Sequence, residues 1–250
     1  MERIARVEDK PLPLTPPLPA VRLLASAALL PALVAGLVAG FAGGPVAGPV
    51  VFVVVAVAVV AWVWRQSGRP GAIGLAGRAP DPVSDARLVN IVDGLCAGAG
   101  IRTPDLRVVD AAGLNLAAGG RDPARAALVV TSGLLDRLER VELEGVLACG
   151  VMAIRRGAVA GPSIAAVTGI SVDVAVGAGR DILLDAAAAR LTRYPPGLRS
   201  ALEGLLAGGT AVPGVPRRAA HLWLADPRPD ERLAEYRRPL PERIDALSEL

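Results

Sequence analysis

The chain has 250 residues and is 52% hydrophobic, yet only 3% of its residues are aromatic. Its 27 Lys and Arg residues against 24 Asp and Glu give a net charge of +3, too small a surplus to indicate a nucleic-acid-binding protein. His221 is the only histidine, so no site that needs two histidines can form within the chain. The two cysteines, Cys96 and Cys149, lie in apolar stretches, which favours a reducing compartment over a disulfide framework.

The N-terminal quarter of the chain predicts a membrane hairpin. Residues 1–22 are charged and rich in proline, and we interpret them as a cytoplasmic lead. The 42 residues from 23 to 64 carry no charge, which is enough for two bilayer-spanning helices of about 20 residues each. Glycines and prolines near the middle predict a turn, so we expect the helices at about 23–41 and 46–64.

The charges that flank this hairpin predict its orientation. Basic residues lie on both sides of the hairpin and are missing from its turn, and such residues favour the cytoplasmic side of a membrane. They are Arg3, Arg6, Lys10 and Arg22 before the hairpin, and Arg65, Arg69 and Arg78 after it. We therefore expect a multi-pass protein of the plasma membrane whose remaining domain is cytoplasmic.

Residues 65–84 form a Gly/Pro linker, and residues 85–250 are long enough for a single core. Apolar residues at helical spacing predict that this domain begins with a helix, with Asp85 as its cap and Cys96 in its core.

Two short strands are predicted next, at Leu106–Val109 and Ala127–Val130, with a turn at Gly119-Gly120 between them. A helix containing the stretch "ELEGVLACGVMAIRRG" (142–157) follows, and three shorter helical stretches come after it. The apolar stretch 159–179, which carries a single charge, lies between the 142–157 helix and the next helical stretch. It either packs in the domain or enters the membrane.

This series of stretches resembles the HtpX-like membrane-bound zinc metallopeptidases. The matching stretches are Pro104–Val109, Asn115–Gly119, Leu128–Leu135 and Glu142–Ala148. The resemblance implies an α+β fold, in which a two-helix transmembrane hairpin precedes a mainly helical zincin-like domain with a small β-sheet.

The zinc-binding helix of that family carries the motif His-Glu-x-x-His. Two histidines four residues apart share a helix face and hold one zinc ion, while the glutamate activates the metal-bound water. The resemblance places Cys149 at the first histidine, Gly150 at the glutamate and Ala153 at the second histidine. The family's third ligand, a glutamate, corresponds to Asp181.

Two further positions bear on this comparison. Asp185 matches an aspartate that the family places four residues after the third ligand, and either Arg237 or Arg238 stands where a histidine is often found. On these grounds we expect no catalytic residue, no cofactor and no zinc, although active relatives hold zinc.

The sequence thus predicts a membrane-anchored pseudoprotease that is not an enzyme and acts by binding or regulation. The expected partners are the lipid bilayer and either membrane proteins or unfolded peptide segments, with no nucleic acid. By resemblance to the family's substrate-side strand, we also expect a peptide-binding edge at Asn115, Leu116, Ala117 and Gly119.

Two alternatives stay open. In the first, the chain is a still active or repurposed membrane protease or hydrolase of that family, for instance one in which Cys149 is a nucleophile and His221 its base. In the second, the chain is a structural subunit of a membrane assembly. Each candidate residue also has a simpler interpretation. A free cysteine such as Cys149 is usually a small buried core residue, and Asp181 suits an ordinary helix N-cap.

Overall fold

The computed structural model describes residues 18–169, 180–229 and 238–249. Most of the predicted lead lies outside the described residues. Two apolar helices come first, α1 (Leu18–Gly43) and α2 (Ala47–Gln66), and both are long and apolar enough to cross a membrane. Both helices extend past the uncharged stretch, because arginines at helix ends can reach toward the interface and need not stop the helix.

The two apolar helices pack closely where glycines face each other. A Cβ added to Gly48 would lie 2.9 Å from the carbonyl oxygen of Gly36, so only glycine allows this approach. The outer faces of both helices expose large apolar side chains, as a lipid environment requires. These include Leu29, Leu30, Leu37, Val38, Phe41, Val53, Val54 and Val57.

The remaining described residues form a mainly helical domain with one small sheet, which confirms the predicted α+β class. Its elements are α3 (Ala86–Ala99), β1 (Asp105–Val109), β2 (Leu116–Gly120), β3 (Ala126–Thr131), α4 (Ser132–Arg137), α5 (Arg140–Arg155), α6 (Ala160–Thr168), α7 (Arg180–Thr192), α8 (Pro195–Gly208) and α9 (Leu240–Ser248).

The sheet has the order β1-β3-β2, with β1 parallel and β2 antiparallel to β3. The predicted turn at Gly119-Gly120 is wrong, because both glycines belong to β2. Alanine and glycine have low strand propensity, but every residue of β2 is buried. Packing of the strand against the neighbouring elements outweighs this low propensity. The linker also packs on the domain, since Ile73 and Leu75 are buried and Arg78 pairs with Val108.

Helix α3 confirms the predicted buried face, which includes Leu88, Ile91 and Cys96. The predicted cap by Asp85 is wrong, because its side chain makes no capping hydrogen bond. Instead, the Asp85 carboxylate pairs with Arg78 at 2.5 Å and accepts a hydrogen bond from the backbone N–H of Asp81. The Arg78 hydrogen bond lowers the pKa of Asp85. This carboxylate therefore fastens the linker segment to α3.

Helix α5 is the centre of the domain, packed against α3, α7, α8 and the sheet. It begins with a capping box, in which Glu139 and Glu142 each accept a hydrogen bond from the other's backbone N–H. From Leu143 to Ile154 almost every residue is buried, which is the property of a helix enclosed on all sides.

Helix α6 joins this domain to the apolar helices. Its Ile164 and Ala165 form one buried cluster with Leu23, Leu24 and Val63 at the ends of α1 and α2. The helix has nine residues and is buried in the protein, so it is too short to span a bilayer. The rest of the apolar stretch, 170–179, lies outside the described residues.

A buried ion pair ties α7 to α9. The Arg243 guanidinium donates to both carboxylate oxygens of Asp185, from Nε at 2.7 Å and from Nη2 at 2.8 Å, and the two side chains are only 1% and 2% exposed. Its Nη1 donates to the carbonyl of Leu224 at 2.8 Å. Burial acts to lower the pKa of Arg243, but the Asp185 carboxylate outweighs it and the pKa is raised. The guanidinium therefore stays charged.

We expect Arg243→Met to lower the free energy of unfolding by about 3–5 kcal/mol, because it leaves the Asp185 charge buried without a partner. Replacing both members, by Asp185→Leu and Arg243→Met, should recover most of that loss. The measurement is urea unfolding of the full chain in neutral detergent, followed by circular dichroism. As a control, Arg199→Met breaks the exposed Arg199–Glu203 pair and should cost less than about 1 kcal/mol. A double variant that is no more stable than the single one would contradict this account.

Candidate functional site

The residues at the family's motif and third-ligand positions converge on one small cavity between α5, α7 and the sheet. Its volume is about 40 Å³, room for no more than a few water molecules. Cys149, Gly150 and Ala153 lie on its wall because residues at these spacings share a helix face, and Asp181 reaches it from the first turn of α7. The remaining lining residues are Leu116, Ala118, Arg180, Leu184, His221, Leu222, Trp223, Leu224 and Arg243.

Cys149 is buried, and its thiol contacts a carboxylate that does not activate it as a nucleophile. Its sulfur lies 3.4 Å from Oδ1 of Asp185 and 3.6 Å from the carbonyl of Gly145. Burial and the neighbouring Asp185 carboxylate raise the pKa of the Cys149 thiol well above its usual value, although Arg243 opposes this. A thiol in these surroundings stays protonated, and a thiol is a far weaker nucleophile than a thiolate.

His221 does not serve as a base for this thiol. Its Nε2 lies 2.7 Å from the carbonyl oxygen of Pro162, and since a carbonyl only accepts, Nε2 carries the proton and donates. The pairing of Cys149 with His221 that would support a cysteine hydrolase is therefore not made in this structure. His221 instead fixes its own 3-10 turn, Arg217–Leu222, against α6.

Gly150 is held by packing. A Cβ added there would lie 2.4 Å from Cδ1 of Leu128 on β3 and 3.1 Å from Cδ2 of Leu116 on β2. The leucines of the sheet thus occupy the space into which a longer side chain at position 150 would extend. Close packing of α5 on the sheet accounts for the glycine, despite its cost of about 1 kcal/mol in a helix.

The second edge of β2 is covered by the chain itself. The backbone N–H of Leu224 donates to the carbonyl of Leu116 at 2.6 Å, and Ala117 and Trp223 form an antiparallel bridge. We call residues 223–225 the closing segment. The Leu224 bond flanks the bridge, so Ala117 and Trp223 face each other as a non-hydrogen-bonded pair, the arrangement in which side chains come closest.

Asn115 anchors the closing segment. Its side-chain N–H groups donate to the carbonyls of Thr210 and Ala225, at 2.8 and 3.1 Å, and its side-chain oxygen accepts from the Ala225 N–H at 3.2 Å. The peptide-binding edge stays a prediction, and the structure shows which parts of the chain contact its residues. Leu116 and Ala117 are paired with the closing segment, while Gly119 lies against the buried linker residues Ile73 and Leu75.

The side chains at the cavity do not fit a zinc ion held as in the active relatives. Ala153 offers no donor atom, Gly150 offers no base, and the Cys149 thiol is directed to a carboxylate that already binds Arg243. Within the described ranges, no group of three or more His, Cys, Asp or Glu side chains is placed to hold a metal. Asp181 lies inside the first turn of α7, so the simple N-cap interpretation is wrong as well.

Sequence reasoning missed two parts of the site, the Arg243 guanidinium and the closing segment. Arg243 lies beside Ile244 on the buried face of α9, in the "ERIDAL" stretch, so a cation on an apolar helix face was the available signal. The closing segment begins with Trp223 and Leu224 directly after Leu222, so the available signal was a short apolar stretch without turn residues. Of the two arginines compared with the family histidine, Arg238 is exposed and pairs with Glu242, and Arg237 lies outside the described residues.

Several curated proteins are similar to this chain. A protein named "Protease HtpX homolog" from Dictyoglomus turgidum is 31% identical over 207 residues, which is 64% of this chain and 68% of that protein. A protein of the same name from Dictyoglomus thermophilum is 32% identical over 193 residues, 60% of this chain and 64% of that protein. One from Tropheryma whipplei is 29% identical over 230 residues, 74% of this chain and 79% of that protein. No family model and no solved structure matches the chain.

These relatives correct one expectation from the sequence. The loss of the three motif residues predicted that the chain is not an enzyme, but the similar proteins are named as proteases and so point to an enzyme family. The expectation treated one helix motif as decisive for the whole chain. Similarity over more than 200 residues carries more weight than that motif.

We expect Gly150→Glu to destabilise the protein by about 3 kcal/mol or more, because it drives a charged side chain into Leu128 and Leu116 in the core. The matched control is Gly94→Glu on α3, where nothing lies within 4 Å of an added Cβ. That change should be neutral or stabilise by up to about 1 kcal/mol, since glycine is the poorer helix former. Thermal and urea unfolding of both variants measure this, and a Gly150→Glu protein as stable as the parent would disprove the packing argument.

Proposed function

This chain belongs to the HtpX family of membrane metalloproteases, and from that premise we propose that it engages extended polypeptide segments at the edge of β2. The observation that carries the proposal is the closing segment. A backbone in antiparallel register already occupies that edge, so its hydrogen-bonding groups are geometrically able to accept an extended chain. On this proposal the closing segment is an internal occupant that polypeptide must displace.

The backbone pairing of the closing segment is short enough to be displaced, although the Arg243 hydrogen bond to Leu224 and the burial of Trp223 also hold the segment in place. Its strand pairing rests on the single bridge at Ala117. Asn115 holds it by hydrogen bonds, each of which contributes only about 1 kcal/mol net. Binding of unfolded segments of membrane proteins, in competition with these bonds, is the function we propose.

We also propose that this member does not hold zinc at the positions used by its active relatives. The support is the donor set at Cys149, Gly150, Ala153 and Asp181, together with the leucine packing around Gly150. Purified chain should contain zinc far below one ion per molecule. Stoichiometric zinc that is lost on Asp181→Asn would contradict the proposal.

A disulfide that locks the closing segment tests polypeptide binding. Ala117→Cys with Trp223→Cys places two thiols on a non-hydrogen-bonded antiparallel pair, whose Cα separation of about 4.5 Å suits a disulfide. We expect the oxidised protein, full-length and in neutral detergent, to lose binding of fluorescein-labelled, reduced and carboxymethylated casein, and the reduced protein to regain it. Fluorescence anisotropy measures the affinity.

The same protein before and after reduction is the matched control. The parent chain is oxidised in parallel, and its binding should not change, because its two native cysteines, Cys96 and Cys149, are buried. Equal affinity of the locked and reduced forms would refute the assignment of the edge. The casein is also examined on gels, and cleavage stopped by a chelator would refute the absence of a zinc site.

We further propose that α1 and α2 form a transmembrane hairpin with both ends, and hence the domain, in the cytoplasm. The basic residues before α1 and after α2 support this orientation, while the turn between the helices has none. A cysteine introduced at Gly44 should react with a membrane-impermeant maleimide on intact spheroplasts. One introduced at Gly94 should react only after the membrane is opened, and the reverse pattern would overturn the orientation.

A further inference from the structure

Among the described residues, one aromatic side chain is buried, and it belongs to the closing segment. Aromatic residues make up only 3% of the chain. Phe41 and Trp62 are exposed on the apolar helices and Tyr194 is exposed on the domain, whereas Trp223 is only 2% exposed. The bulkiest apolar side chain of the domain therefore lies on the segment that covers the edge of β2, and not in the core around α5.

The pairing with β2 sets the direction of the Trp223 side chain. Cross-strand partners point to the same face of a sheet, and successive residues of a strand point to opposite faces. Ala117, the partner of Trp223, lies with it in a buried cluster that the sheet forms with the linker and α6, whereas Leu116 packs in the core with α5. An extended chain in this register therefore sends the side chain opposite Ala117 into that cluster.

The cluster that receives Trp223 otherwise consists of small and aliphatic side chains. We call the part of it formed by Ile73, Leu75, Ala117, Val129, Ala166 and Ala219 the Trp223 pocket. The methyl group of Ala117 leaves room for a large side chain opposite, on a pair whose side chains come close together. None of these six residues belongs to the closing segment, so displacement of that segment would leave an apolar hollow of about the size of an indole ring.

This hollow restricts which polypeptides can displace the closing segment. The Arg243 hydrogen bond goes to the backbone carbonyl of Leu224, and any polypeptide brings a carbonyl that can replace it. The burial of Trp223 is different, because a small side chain opposite Ala117 would leave a cavity that the surroundings fill only in part. Only a side chain of similar size restores the packing that the closing segment gives up.

Trp223 itself fills the pocket with one defect. Its Nε1–H is buried and has no acceptor in the described part of the chain. An indole N–H that leaves water without gaining an acceptor makes the burial of the ring less favourable. A phenyl ring carries no such donor, so phenylalanine can occupy an apolar pocket without that loss.

Resting on the proposed function, we propose that the edge of β2 selects polypeptides that carry an aromatic residue, phenylalanine above all, opposite Ala117. The closing segment is then an internal substitute for such a polypeptide, with Trp223 at the position of the selected residue. The next position should favour an aliphatic residue, because Leu224 packs against the core on the α5 side. Selection at this edge is thus for a short apolar stretch centred on one aromatic ring.

Matched peptides test this selection. Fluorescein-labelled peptides of the sequence KTLXLATKG, where X is phenylalanine, leucine or alanine, are titrated with the full chain in neutral detergent, and fluorescence anisotropy gives each Kd. We expect the Kd of the phenylalanine peptide to be at least about tenfold lower than that of the alanine peptide, because the phenyl group buries more apolar surface. The leucine peptide should lie between them. The isomer FTLKLATKG has the composition of the phenylalanine peptide and controls for binding to detergent.

A change on the protein's side gives a second test. Trp223→Ala weakens the internal occupant, so we expect it to lower the Kd of the phenylalanine peptide several-fold. The matched control, Trp62→Ala, removes a tryptophan that is 57% exposed on α2 and should leave the Kd unchanged. If Trp223→Ala unfolds, Trp223→Leu is measured, and the Kd should fall in the same direction.

Several results would overturn the proposal. Equal Kd values for the three peptides, or for the phenylalanine peptide and its isomer, would exclude selection for an aromatic residue. A folded Trp223→Ala chain that binds the phenylalanine peptide no more tightly than the parent does would exclude competition with Trp223. Casein binding that the disulfide abolishes, together with equal peptide affinities, would keep the proposed function and refute this inference alone. A chain that binds no casein in any state would refute both.

Discussion

The Arg243 guanidinium is the interaction on which the rest of the site depends. A buried cation is tolerated only where a carboxylate and further acceptors satisfy it, because the desolvation of an ion in the protein interior costs several kcal/mol. Arg243 meets that condition with both oxygens of Asp185 and with the carbonyl of Leu224. One side chain of α9 therefore fixes α7, holds the closing segment on β2, and sets the charge beside Cys149.

This constraint explains how a cavity can persist where the family's zinc-binding helix stands. Helix α5 keeps its place against the sheet because Gly150 allows Leu128 to approach it. Asp185, next to the cavity, is neutralised by Arg243. The Cys149 thiol, placed against that carboxylate, has a raised pKa and stays protonated. The packing around Gly150 and the opposite charges of Asp185 and Arg243 are thus satisfied by the chain's own side chains.

The sequence predicted the elements whose signals are local. The uncharged stretch predicted the two apolar helices, and helical spacing of apolar residues predicted α3 and α5. The buried face of a helix can be predicted from the helix's own residues. The resemblance placed a strand at Asn115–Gly119, but the local pattern predicted a turn at Gly119-Gly120, because only the packing of Ile73 and Leu75 against these glycines makes a strand favourable there. The closing segment and Arg243 could not be predicted, since Asn115 and Asp185, which hold them, lie more than 50 residues away in the chain.

The position of the closing segment also determines the order in which the domain can be completed during synthesis. Strands β1, β2 and β3 are made within a short stretch of chain, but the segment that covers the edge of β2 comes about 100 residues later, and Arg243, which fastens it, later still. Contacts so distant in sequence form slowly, and an uncovered strand edge pairs readily with other chains. A nascent chain anchored by α1 and α2 would therefore display an open sheet edge at the membrane until its last helix is released from the ribosome. During that interval the edge of β2 is open to mispairing with other chains.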